Sequence, residues 1–356
     1  MLLRVLLVLF VIGLAAPALQ AGEVSGLYRA AVPVADQGAA ERARGLREAL
    51  AEVITKVTGR APEHWRQALG DMPENPESLV AQFAYRPAPA GPISAEAPEA
   101  EPGLMLHARF DPAAVDRLLR ERGLPVWGRT RPRVAAWIAV DDGARRYLAG
   151  TEEGGGEAAA ALRRRGAERG LPVVLPLHDL EDQAAVSISE VWGGFAERVH
   201  PASRRYGAGT SLVGRVQRIR DDLWEARWTL VEGESPGQRW SARGSGLADL
   251  VAQAVDETTE ILAARFAGGA GTGDAGGVRL VIRGVASLEA YAAVMSYLQS
   301  LDGVAGVRPQ RVEPGTLHLR VDADADAGAL AQRISLGRVL ARRGSAAGEW
   351  EYTGRP

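Results

Sequence analysis

Cysteine is absent from these 356 residues, which excludes disulfides, thiol nucleophiles and thiolate metal sites together. A lipid-anchored N-terminal cysteine is likewise not expected. Lysine is nearly absent: Lys56 stands alone, and arginine carries the rest of the positive charge, which reads as a compositional habit rather than a function. An excess of either charge is also lacking. With 42 basic and 44 acidic residues the net charge is -2, so there is no electrostatic case for nucleic acid or an anionic membrane surface.

Long apolar runs are confined to the first residues, MLLRVLLVLFVIGLAAPALQA. Arg4, the apolar run that follows and the small Ala21 form the pattern of a secretory signal peptide, with cleavage after Ala18 or Ala21. The run is shorter than the roughly 20 residues that cross a bilayer. An exported, periplasmic protein without a transmembrane segment is the expectation. Some 335 residues beyond the leader exceed one usual core, so two or three domains are expected.

The expected fold class is α/β (α+β) in three units: signal peptide 1–21, an N-terminal α/β unit 22–128, a middle α/β unit 129–267, a glycine-rich linker 268–277 and a C-terminal unit 278–356. In the first, VSGLYRAAVPV alternates as a strand and Asp36 caps a helix whose stripe runs through Leu46, Leu50, Val53 and Val57 to a stop at Gly59. LMLHARF then precedes a helix begun by Asp111 and Pro112. Two strand–helix pairs suggest a small two-layer unit, interrupted by a loop at residues 87–102.

In the middle unit the unbroken run from Val134 to Val140 suits a strand buried on both faces. A helix at 157–169, a short run LPVVLP and a helix at SEVWGGFAERV follow. LWEARWTLVE and RWSARGS then read as an antiparallel meander closed by an amphipathic helix from Leu247 to Phe266. The last unit reads βαββαβ, ending in a strand at EWEYT, the order of a ferredoxin-like fold.

The motifs are weak as chemistry. ASRRYGAGTSLVGRV carries Gly207, Gly209 and Gly214 beside the adjacent arginines Arg204 and Arg205, but a phosphate loop follows a strand and opens a helix, and here a helix ends and a strand begins. Gly207 is expected to stop a helix, Gly214 to let another element approach a strand, and the arginines to be surface charge. DADADAG lacks the glycine and glutamate that an EF-hand loop needs, so its aspartates read as helix caps. His64, His107, His178, His200 and His318 lie far apart and form no metal-ligand spacing. No G-x-S-x-G elbow is present. Asp141, Asp142, Asp179 and Asp182 follow the two buried strands, where carboxylates can serve as acid and base, though turns and caps use the same residues. Trp224 and Trp228 share one strand face, with Trp240 on the next strand. They read first as core, and if exposed as a face for a partner or ligand.

Four phrases, VPVADQGAAERARGLREALAEVITKVTGR, GLPVWGRTRPRVAAWIAV, SEVWGGF and ASRRYGAGTSLVGRV, together resemble the exported proteobacterial family catalogued as domain of unknown function 2066. The middle unit is similar to the N-terminal domain of the translocation protein TolB and to curli-secretion-type envelope proteins. That resemblance implies a noncatalytic module of envelope assemblies and brings no catalytic residues. The expectation is therefore a noncatalytic periplasmic binding or assembly protein with an envelope protein partner and no cofactor. The alternatives are an envelope hydrolase using the strand-end aspartates and a ligand-sensing module.

Overall fold

Three main sheets and a short two-stranded one, with four hydrophobic clusters among the described residues, carry the chain in the computed structural model. It describes residues 21–73, 75–88, 103–151, 156–233, 237–267, 277–323, 327–337, 339–346 and 349–354. Residues 1–20 of the leader, most of the 87–102 loop, linker residues 268–276 and residues 324–326 of the acidic run lie outside the described residues. The protein is of mixed α/β class. No described helix is long and apolar enough to cross a membrane.

The first unit contains β1 (Ala21–Glu23), β2 (Arg29–Val34), α1 (Ala39–Thr58), α2 (Pro62–Leu69), β3 (Val80–Pro87), β4 (Leu104–Phe110), α3 (Pro112–Glu121) and β5 (Thr130–Pro132). β2, β4 and β3 form an antiparallel sheet in that order, and the apolar stripe of α1 lies across it. Gly45 permits the close approach: a Cβ there would stand 2.8 Å from Val34 and 2.9 Å from Leu106. Gly59 ends α1 in the left-handed conformation. Asp36 does not cap the helix. It accepts from the Gly38 N–H at 2.7 Å in the turn just before, while Glu41 reaches back to the Ala35 N–H at 2.8 Å.

The middle unit contains β6 (Val134–Asp141), β7 (Arg146–Leu148), α4 (Glu157–Arg169), β8 (Val173–Val174), α5 (Leu180–Ala185), α6 (Ile188–Gly193), α7 (Ala196–Ser203), β9 (Thr210–Arg220), β10 (Leu223–Glu232), β11 (Gln238–Gly244) and α8 (Leu247–Phe266). Its sheet runs β11-β10-β9-β6-β7, with β8 also beside β6, and β6 parallel to β9. Val134, Ala136, Ile138 and Val140 share a core with α4 and α8, whereas Ala135, Trp137 and Ala139 share one with α6 and α7. β6 is thus buried on both faces. The expected single helix at SEVWGGFAERV is two, because Gly194 turns left-handed at φ 72 and ends α6.

The last unit contains β12 (Val278–Val285), α9 (Leu288–Ser300), β13 (Val304–Glu313), β14 (Gly315–Ala323), α10 (Ala327–Ser335), β15 (Leu340–Ala346) and β16 (Glu349–Gly354). β13, β14 and β12 pair antiparallel, but the strand at EWEYT runs parallel to β12 and an extra strand, β15, lies outside it. Tyr352 of β16 is fully buried, which requires an interior place in the sheet. Leu340–Ala346 has too few apolar residues to announce a strand.

The units are joined through buried arginines. Arg131 of β5 is fully buried and donates to the carbonyls of Lys56, Trp127, Gly128, Arg169 and Gly170, at 2.7 to 3.3 Å, with its guanidinium 4.2 Å from the Trp127 ring centre. Three of those carbonyls belong to the C-terminal ends of α1 and α4, where the helix dipoles favour a cation. Arg333 of α10 donates to Phe266 and Asp302 carbonyls, and the Asp302 carboxylate accepts from the Arg129 and Thr130 N–H groups.

Candidate functional site

The meander of the middle unit has two unlike faces, because side chains alternate along each strand. On β10 and β11, Trp224, Ala226, Trp228, Leu230, Trp240 and Ala242 turn toward α8 and its core. Trp228 is 1% exposed and lies over Gly214 of β9, the residue directly opposite, where a Cβ would come within 2.1 Å of the indole. Trp224 and Trp240 are half-buried at the margin of the same core. Trp228 therefore belongs to the core, and together with Trp240 it is also among the residues bordering the groove described next.

The opposite face carries Arg215, Glu225, Arg227, Thr229, Arg239, Ser241 and Arg243, and it floors a groove of about 960 Å³. One wall is the end of α6: Val191, Gly193, Gly194 and Phe195. Gly193 makes room for Phe195, whose ring would stand 2.4 Å from a Cβ there, and Phe195 is left 56% exposed at the lip. Arg215 lies 5.8 Å from the Trp192 ring centre and Arg146 lies 3.8 Å from it, so two guanidinium groups stand within cation–π reach of one indole.

Charge in the groove is unbalanced. Arg227 and Arg243 share one carboxylate, Glu225, at 3.4 and 2.9 Å, and those bonds hold Glu225 below its ordinary pKa. Arg215 and Arg239 have no ion pair among the described residues. Arg215 and Arg227 also stand directly opposite each other on β9 and β10, a like-charge pair that costs sheet stability. These four arginines are absent from the sequence expectations, where arginine is read as compositional. The available signal was their two-residue period, out of phase with the tryptophans.

The strand-end aspartates have other partners. Asp141 accepts from the Gly143 N–H at 3.1 Å and pairs with Arg146 at 2.9 Å. Asp142 accepts from the Ala144 and Arg145 N–H groups, which lower its pKa. Asp179 caps α5 and takes Arg205, whose side-chain bond holds it far below the carboxylate range. Asp182 is buried and accepts from the His178 N–H, Arg205 and the Tyr206 hydroxyl. Neither Asp141 nor Asp179 lines the groove. Arg205, expected as surface charge, is the clamp on α5. ASRRYGAGTSLVGRV thus places Gly207 at a helix stop with φ 65, Gly214 under Trp228 and Arg215 in the groove.

The histidines stay dispersed. His64 pairs with Glu260 at 2.9 Å, His318 lies 3.7 Å from Glu313, and His107 is on β4. His178 is buried at φ 55, held there by Asp182 and by Gln183, which donates to its carbonyl at 2.8 Å. His200 Nδ1 lies 2.7 Å from Ser211 Oγ, in a chain that continues to Ser203 and Trp137. Ser211 of β9 and His200 of α7 are both buried, so this pair packs the helix against the strand. Of the acidic run DADADAG, Asp322 pairs with Arg308.

Comparison with curated proteins finds no match. Residues 21–128, the span up to Gly128 that ends before β5, match the model of a family described as Domain of unknown function (DUF8605).

Proposed function

We propose that this chain is a noncatalytic binding protein of the cell envelope, and that the open arginine face of its middle sheet holds an acidic partner. The observation that carries this reading is the set of four arginines against one glutamate in a single groove. A sheet face used only for solubility gains nothing from like charges placed directly opposite each other, whereas an anionic partner relieves their repulsion. The signal-like N-terminus and the resemblance to envelope modules support an exported location and an assembly role.

Binding of fluorescent poly-L-glutamate tests the reading. The protein binds it more weakly as salt rises, and the double variant Arg215→Ser/Arg239→Ser, checked for an unchanged melting temperature, loses at least about tenfold in affinity. Equal binding by the two proteins counts against the groove.

A further inference from the structure

The edges of the three larger sheets are not alike. β2 contains Pro33, β3 ends in Pro87 and slips register near Val80, β13 contains Pro309 and slips register twice, β15 slips register once, and β7 is three residues long. Proline, bulges and shortness are the means by which proteins keep an edge from pairing with another strand. β11 has none of them. Its seven residues pair with β10 in unbroken register from Gln238 to Gly244, and among the described residues β10 is its only strand neighbour. Its outer backbone groups thus form a regular ladder beside the groove, with no strand partner among the described residues.

We infer, building on the groove reading, that the acidic partner binds as an extended segment that adds a strand to β11. Arg239, Ser241 and Arg243 occur at every second position of that edge, and Arg227 lies behind Ser241 on β10. A strand laid beside β11 presents alternate side chains to the same face, so acidic residues at every second position meet these arginines in step. Its other side chains fall beside half-buried Trp240. Charge also selects against the neighbouring possibility of two copies joined edge to edge, because that pairing brings Arg239 and Arg243 of both copies onto one seam. Charges that merely guard an edge are needed only on the edge itself. Arg227 and Arg215 stand one and two strands further in.

The test uses the full chain and a labelled peptide of four Glu-Val repeats, read by fluorescence anisotropy. Three comparisons accompany it: the Lys-Val peptide, the Glu-Val peptide with every backbone amide N-methylated, and polygalacturonate. Strand addition predicts binding of Glu-Val, none of Lys-Val, and a loss of at least about tenfold on methylation, since the methylated chain keeps its charges and cannot donate to the edge. Equal binding of the methylated peptide overturns strand addition while leaving the arginine groove standing. Binding of polygalacturonate but not of Glu-Val replaces the peptide with a glycan. A concentration-dependent dimer that blocks the peptide overturns it in favour of a second copy. Binding of none of the anions overturns the groove reading itself.

Discussion

Gly214 shows how one residue orients the whole site. It sits under the Trp228 indole, so the tryptophan can lie flat in the core and the strand must turn its arginines to the other side. Gly214→Ala adds a methyl group where a ring atom already stands at 2.1 Å. Overpacking of this kind costs about 1–3 kcal/mol. Urea unfolding is expected to show that loss, and Trp228→Leu in the same background to recover part of it. An unchanged midpoint in Gly214→Ala contradicts the packing described here. The close approach at Gly214 was readable from the sequence, as was the shared face of Trp224 and Trp228. The arginines on the reverse face were not, because in a chain with one lysine and arginine throughout these four look like any others.

At the scale of elements, α5 and α7 are tied down by buried polar groups. His178 and His200 are both pushed below their ordinary pKa of 6.5, chiefly by burial, and so sit neutral in the folded chain. On acidification the unfolded chain takes up these protons first. Their contribution is therefore fully present above the unfolded value and is lost as pH falls through and below it. The melting temperature is expected to drop between about pH 7 and pH 5, and less steeply in His178→Asn/His200→Asn, since asparagine tolerates a positive φ and can still hydrogen-bond. A double variant with the same slope as the parent sinks this assignment. The Arg205–Asp179 pair does not interfere, because Asp179 remains ionised throughout that window. Helix ends were the legible part of these elements: Gly59, Gly170 and Gly207 all stop helices in the left-handed conformation. The division at Gly194 was hidden inside an apolar stretch that reads as one helix. β15 was hidden because it has almost no apolar pattern of its own.

Across the whole molecule, the three units are locked by arginines that carry no sign of their burial in the sequence. Arg131 lies in GLPVWGRTRPRVAAWIAV, and what distinguishes it from exposed neighbours is the convergence of two helix ends that are distant in sequence. The groove was concealed for another reason: its floor comes from three consecutive strands and its wall from the nearby α6, but its arginines read like all the others. The central claim is that this groove is where an acidic protein segment binds. It is tested most directly by placing a photocrosslinking residue at exposed Ser241 in the full-length protein inside the producing cell. The account predicts a crosslink to an acidic protein segment that disappears when Arg215 and Arg239 are replaced by serine. A crosslink that survives those replacements, or no crosslink at all, contradicts it.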